Sequence, residues 1–470
     1  MLTRLILLFL AFLPVASARA IDRAEVERLA QPLIDAGLLV GCTIGVVDDD
    51  GVRFFAFGEM EKGAGVAPDE HTVYEVGSFT KALTGTLLAD AQLRGLLSEG
   101  DTLSAHTPEG IKVPELGEPI TLAHLATHTS GLPRLPPSMT SFKSLLFLDA
   151  LDPYAGFTRE RVWGDLAKTK PARPPGEDEY SNFGMGVLGL VLERATDKSY
   201  EELLVERLCA PLGMSDTRVA LTDSMRERFA PPYDADLTPN GAWNLGGLTA
   251  AGGVRSTAAD LVKLVEAALA GDGSETPAAT AALRDAMRVR HDNGREGAAA
   301  AIGLAWFRSS DSNAWWHNGM TGGYASSVSL APEEGCGVVV LANTAAAGVT
   351  PLGEKLLQAA RGERPEPIEL PEMVEVDPEL LASYEGTYMI TPLAWVVVRQ
   401  DDRGLTAQLT AQPALRLHAA SPTEFRYRVV PARITFGDPA APAEDDVQSL
   451  KTLTLHQNGM ELRAVRMPIK

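Results

Sequence analysis

Cysteine is nearly absent: Cys42, Cys209 and Cys336 are the only three in 470 residues. An odd count, each beside apolar neighbours, argues against a disulfide framework and reads as buried thiols, with at least one free or paired between chains. Positive charge is also short. Lys and Arg number 42 against 62 Asp and Glu, for a formal net charge of −20. That balance excludes a nucleic-acid partner and an anionic membrane surface. Long hydrophobic runs are missing after the first twenty residues. Leu5 to Leu13 is unbroken and apolar, but a stable span takes about 20 residues. With Arg4 before it, Pro14 after it and small residues at Ala16-Ser-Ala18 or Ala18-Arg-Ala20, residues 1–20 read as a secretory signal. The mature chain is therefore expected in the periplasm or outside the cell, with no membrane span. No cysteine near the cleavage site offers a lipid anchor. Internal repeats and long low-complexity tracts are absent too.

A metal signature is incomplete. His124 and His128 are four apart, as on a zinc helix, but Leu125 stands where a zinc peptidase carries its glutamate, and no third ligand is apparent. The pair reads as structural histidines at a helix end before Gly131-Leu-Pro133. Neither metal nor cofactor is expected. What remains is an ordinary folded composition, 45% hydrophobic and 22% charged, with length for two or three domains.

The stretch from Thr72 to Arg94 organises the rest. It reads as a short strand, a turn at Gly77 and a helix whose Leu83, Leu87, Leu88 and Ala91 form an apolar face. Ser78 and Lys81 sit three apart at the helix entrance and point the same way. The free first-turn N–H groups and the positive end of the helix favour an oxyanion beside the serine. A lysine one turn on can take the serine proton if burial or another cation lowers its pKa. The glycine beside the lysine that a phosphate loop requires is missing.

Along the chain, Ala24 to Leu38 reads as an amphipathic helix, and Gly41 to Val47 and Val52 to Gly58 as a hairpin about Asp48-Asp-Asp-Gly51. The Ser78 helix thus follows an antiparallel hairpin, which points to α+β packing. Pro136 to Gly156 is less regular, with Tyr154 and Phe157 as candidates for a groove or for the core. A Pro/Gly-rich loop, Lys170 to Gly176, leads to Tyr180-Ser-Asn182, and Val187 to Arg194 opens the next helix. Residues 199 to 270 read as helices with loops. Ala301 to Phe307 and Asn313 to Ala325 read as returning strands. Trp315 to Tyr324 and Ser326 to Leu330, then Gly337 to Ala342 after a turn at Pro332 to Gly335, form a hairpin whose glycine-rich first strand leaves room for a substrate backbone. An acidic, proline-rich linker, 362–377, precedes 378–470. There, seven short strand patterns and turns at Asp402-Arg-Gly404 and Asn458-Gly459 predict a barrel of about eight strands.

Ser78-x-x-Lys81, Tyr180-x-Asn182 and His317-x-Gly319, with His128-Thr-Ser-Gly-Leu-Pro133 between them, stand in one order. Together they resemble the penicillin-recognising active-site serine hydrolases, over roughly residues 21–361. The nearer branch is the class C β-lactamase-like group, which also holds D-alanyl-D-alanine carboxypeptidases, D-aminopeptidases and family VIII-type esterases. The last region resembles the lipocalin-like module attached to some of them. The resemblance implies an antiparallel sheet flanked by helices, an all-helical subdomain, and a small all-β barrel after them.

It also implies acyl transfer. Ser78 would attack a carbonyl, with Lys81 and Tyr180 sharing the base role. Asn182 would position the substrate amide. The backbone N–H groups of Ser78 and Met320 would form the oxyanion hole. His317 would contact a substrate carboxylate or the Tyr180 hydroxyl, with Gly319 in the same substrate-binding triplet. One departure is His317 itself, where β-lactam specialists usually carry lysine; a histidine is only partly charged near neutral pH and fits the peptidase members better. Glu177, Asp178 and Glu179 offer a hydrolytic carboxylate or, more simply, a solvated acidic loop. The expected partner is a β-lactam, a cell-wall-type D-peptide or an ester. A carboxylesterase and a non-catalytic cell-wall sensor are the other readings.

Overall fold

The computed structural model describes residues 20–140, 151–171, 173–270, 277–370, 372–392, 394–410, 412, 414–430, 432–437, 452–457 and 460–467. The first 19 residues, which carry the expected signal, residues 141–150 of the irregular stretch 136–156 and the Asn458-Gly459 turn lie outside the described residues.

Eight antiparallel strands form the main sheet. Their order is Gly51–Gly58, Gly41–Asp48, Cys336–Ala342, Ala325–Ala331, Trp315–Met320, Phe307–Arg308, Ala301–Ile302 and His291–Asp292. The three central ones, Gly41–Asp48, Ala325–Ala331 and Cys336–Ala342, are buried at every residue because helices cover both faces. That explains their near-continuous apolar runs. Helices Arg23–Asp35 and Val349–Ala360 build one core with the sheet. Helices Thr80–Leu93, Asn182–Thr196 and Ala258–Leu269 lie in the larger core that includes the other face.

The Ser78 helix differs from its expected form. It is not a one-faced helix: every residue from Thr80 to Ala91 is buried. It runs through the middle of the domain, and Gly85 has no room for a side chain because a Cβ there would lie 1.9 Å from Leu304 O. The cysteines are free and buried, as read from their neighbours. Burial pushes the Cys42, Cys209 and Cys336 thiols up to about 12, which removes thiolate reactivity.

Beyond the linker, eight strands close into an antiparallel barrel, from Gly386–Thr391 to Met460–Arg466, with Tyr388 opposite Arg466 at the seam. The strand missing from the sequence patterns is Leu415–Ala419. Its Arg416 and His418 face the other domain, where Asp236 accepts both: Arg416 Nε lies 3.3 Å and His418 Nε2 2.9 Å from its carboxylate. The loop carrying Asp236 in turn reaches the sheet, as Asn240 Nδ2 donates to Gly322 O at 2.6 Å. Among the described residues, no helix is long and apolar enough to cross a membrane.

Candidate active site

Ser78 sits in a single 3-10 turn, Gly77–Phe79, between the two-residue strand Tyr74–Glu75 and helix Thr80–Leu93. Two glycines fix that turn. Gly77 has φ +52°, and a Cβ on it would lie 2.6 Å from Met320 N. A Cβ on Gly319 would lie 1.9 Å from Val76 O and 2.8 Å from Ser78 N. The amides of Ser78 and Met320 are therefore pressed side by side, the arrangement an oxyanion hole needs. This adds a reason for Gly319: it admits the serine's own turn. The strand still has a free side: Phe307–Arg308 pairs only with Trp315 and Trp316, so among the described residues no strand pairs with His317 to Met320 there.

Lys81 Nζ lies 2.9 Å from Ser78 Oγ and donates to Ala251 O at 2.6 Å. Its side chain is wholly buried. Burial first, and then the Arg134 charge, hold its pKa well below the usual lysine value. An uncharged amine that donates to Ala251 keeps a lone pair for the serine proton. Tyr180 is displaced the other way. Burial raises its phenol to about 12, against the pull of the Ser78 hydroxyl and the Arg134 guanidinium. Lys81 Nζ lies 5.0 Å from the Tyr180 ring centroid. The amine is pushed down and the phenol up, so the two move apart: at rest Lys81 is the proton acceptor and Tyr180 the proton donor on either side of the serine oxygen.

Ser181 caps helix Asn182–Thr196, accepting from Gly184 N–H at 2.8 Å. The helix thus begins five residues earlier than the sequence pattern predicts, and Asn182 is its first residue. The Asn182 amide neighbours the Tyr154 hydroxyl, and its Oδ1 is buried without a partner among the described residues. Tyr154 lines the site together with Trp243, their rings 5.3 Å apart. Phe157 belongs to the core.

His317 is buried, and its Nδ1–H donates to Asn318 O at 2.6 Å. Nε2 then carries a lone pair and has no partner among the described residues. Burial, helped by Lys81 whenever that amine is protonated, drives its pKa down to about 3. The partial positive charge expected of it near neutrality is not what these surroundings give. Of its two expected contacts, a lone pair suits the Tyr180 hydroxyl and opposes a carboxylate.

Two more residues pack against Tyr180, and sequence reasoning missed the second. His128, read as structural, has φ +59°, accepts from Ser181 N–H at 3.3 Å through Nδ1, and sets its ring 4.3 Å from that of Tyr180 at a tilt of 39°. Arg134 places its guanidinium 5.0 Å from the Tyr180 ring centroid. His124 instead serves helix Leu122–Ala126, accepting from Thr121 N–H in a capping box. The described residues hold no cluster of three metal-ligating side chains. The acidic loop is paired: Glu177 and Glu179 with Arg173, Asp178 with His291 and Arg295.

Residues 26–361 match the family described as Beta-lactamase. The D-alanyl-D-alanine-carboxypeptidase/endopeptidase AmpH of Escherichia coli is 31% identical over 285 residues, 57% of this chain and 70% of that protein. A beta-lactamase of Yersinia enterocolitica is 25% identical over 68% of this chain and 86% of its own. Among solved structures, a beta-lactamase/D-alanine carboxypeptidase from Yersinia pestis, complexed with citrate, superposes with a TM-score of 0.61 at 25% identity, over 72% of this chain and 97% of that one. An octameric penicillin-binding protein homologue from Pyrococcus abyssi shares the fold with a TM-score of 0.64 at 22% identity, over 95% of this chain and all of its own.

Proposed function

Because this chain belongs to the beta-lactamase family, we propose that it is a serine hydrolase that works through an acyl-enzyme on the amide bond of β-lactams or D-amino-acid-containing peptides. The observation that carries the reading is the 2.9 Å approach of a wholly buried Lys81 Nζ to Ser78 Oγ. Burial disfavours the ammonium form, so the amine is available as a base at rest. Lys81 takes the Ser78 proton as Oγ bonds to the substrate carbonyl carbon. The carbonyl oxygen becomes an oxyanion between the Ser78 and Met320 amides. Tyr180, protonated at rest, passes its proton to the leaving nitrogen and is reprotonated from Lys81. The amide C–N bond breaks, and Ser78 holds the acyl group as an ester. Water then attacks that ester with the proton flow reversed, which restores the serine. Asn182 holds the amide of the acyl half, and His317 Nε2 accepts from the Tyr180 hydroxyl.

Peptidase relatives and a neutral residue at position 317 both favour a D-peptide over a β-lactam. The signal-like first twenty residues support a periplasmic or secreted site of action, where such peptides occur. The closed barrel is assigned as a lipocalin-like appendage on its strand count and closure. A competition among penicillin, a D-alanyl-D-alanine peptide and a 4-nitrophenyl ester on purified protein tests the substrate class. Peptide cleavage that penicillin blocks is the expected result. Ester hydrolysis indifferent to penicillin would instead make the protein a carboxylesterase of the same fold.

A further inference from the structure

We propose that Arg134 determines specificity by binding a carboxylate carried on the acyl half of the substrate. The inference rests on the serine-hydrolase reading and adds to it a substrate charge and the residue that reads it.

The first observation is that Arg134 is exposed and carries an unpaired charge among the described residues. No carboxylate pairs with its guanidinium among the described residues, on a chain with a formal net charge of −20. The acidic residues of the nearby 177–179 loop are taken by Arg173, His291 and Arg295. The second is where it is held. Its carbonyl accepts from Asn182 N–H at 3.0 Å and Phe183 N–H at 3.2 Å, which ties it to the first turn of helix Asn182–Thr196. Its guanidinium lies over the Tyr180 ring. Residue 134 therefore stands on the Asn182 side of the site, the side assigned to the acyl half. The third is that its charge is felt throughout the site. It acts on Lys81, His128, Tyr154 and Tyr180.

The other basic groups cannot do this work. Lys81 is buried and engaged with Ser78 and Ala251. His317 presents a lone pair, as its Nδ1–H is spent on Asn318 O. His128 accepts from Ser181 N–H, and its Nε2 is closed off by burial. Among the described residues of the site, Arg134 is the permanent, accessible cation that a carboxylate meets, and a guanidinium binds it in a two-pronged, charge-assisted geometry that neither imidazole offers.

The test compares mono-4-nitrophenyl adipate with 4-nitrophenyl hexanoate, esters of six-carbon acyl chains that differ by a terminal carboxylate. Wild type should prefer the adipate in kcat/KM. Arg134→Gln should cut the adipate-to-hexanoate ratio by about 10- to 100-fold, the value of one charge-assisted hydrogen-bonded contact. Arg134→Lys should recover part of it. Raising NaCl from 0.05 to 0.5 M should lower the wild-type ratio, since an exposed cation is screened. If Arg134 served only to tune Lys81 or to hold the helix, both esters would lose equally and the ratio would stand; that result overturns the inference. A wild-type enzyme that takes a fluorophosphonate on Ser78 yet shows no preference for the adipate also overturns it, while leaving the hydrolase reading in place. Absence of any Ser78 adduct would instead bring down the hydrolase reading itself.

Discussion

The barrel core and the cleft both bury polar side chains, and they treat them in opposite ways. In the barrel, Tyr384 and Tyr388 donate their hydroxyls to Pro422 O at 3.0 Å and Tyr384 O at 2.8 Å. Their rings pack with Phe425 and Phe436, Tyr384 lying 4.0 Å from Phe436 centroid to centroid. Both of these hydroxyls have a partner, and the aromatic surface supplies burial. In the cleft, His128 Nε2, Asn182 Oδ1 and His317 Nε2 are buried without one among the described residues, and Lys81 is buried with its charge disfavoured. Such groups cost stability wherever they occur. They persist here because a base, a relay and a substrate grip need unspent capacity. The barrel is built to stay folded, the cleft to be completed by a substrate.

The largest expected effect comes from removing the hydroxyl at the centre of the cleft. Ser78→Ala should lower turnover by more than about a thousandfold and leave unfolding free energy within about 0.5 kcal/mol. Steady-state rates and urea unfolding check this; residual activity above that level would move the nucleophile elsewhere.

Lys81→Met separates the two kinds of burial. Turnover should fall by about 10²–10⁴-fold, as for loss of a general base, while stability should rise, because a desolvated amine is replaced by an apolar chain of similar length. The sign depends on pH. The folded state holds the Lys81 pKa below its unfolded value, so between the two the unfolded chain binds more protons and wild-type stability rises with pH. The gain from methionine should therefore shrink as pH climbs toward 10. Thermal unfolding at several pH values reads this out, and a loss of stability at every pH would show that Lys81 supports the fold.

In the barrel, truncation should do the reverse. Phe436→Ala should cost about 3–5 kcal/mol, measured by denaturant unfolding, while Ser78 acylation at 25 °C persists. An abolished acylation would show that the barrel and cleft are not the separable regions described above.

The smallest effect concerns His317. With its folded pKa driven down to about 3, the imidazole stays neutral from pH 5 to 8, and rate profiles should carry no inflection from it there. Stability should instead fall with acid between the unfolded histidine value and about 3, because the unfolded chain takes up the proton first. His317→Gln should flatten that fall. An unchanged acid dependence would remove His317 as its source.

How much of this was legible depended on what each region had to tell. The order Ser78, Lys81, Tyr180, Asn182, His317 was readable because the motifs together resemble a known family's set; each alone said little. The structure brings Lys81 and Tyr180 to Ser78, and seats Asn182 and His317 around them. The protonation of His317 was not readable, since it follows from burial by Phe307 and the rest of the sheet, which no local pattern reports. Arg134 was invisible for the same reason: only folding sets its guanidinium over Tyr180. A second demand on Gly319 was not readable, because the backbone it accommodates, Val76 to Ser78, is distant in sequence. In the barrel, alternation gave seven strands. It missed Leu415–Ala419, whose outward Arg416 and His418 answer to Asp236 of the other domain.

Intact-protein and peptide mass spectrometry after exposure to benzylpenicillin tests the central claim most directly. A single covalent adduct, mapped to the peptide carrying Ser78 and lost in Ser78→Ala, is the expected outcome. An adduct on any other residue, or a fully folded protein that takes neither penicillin nor fluorophosphonate at Ser78, would contradict it.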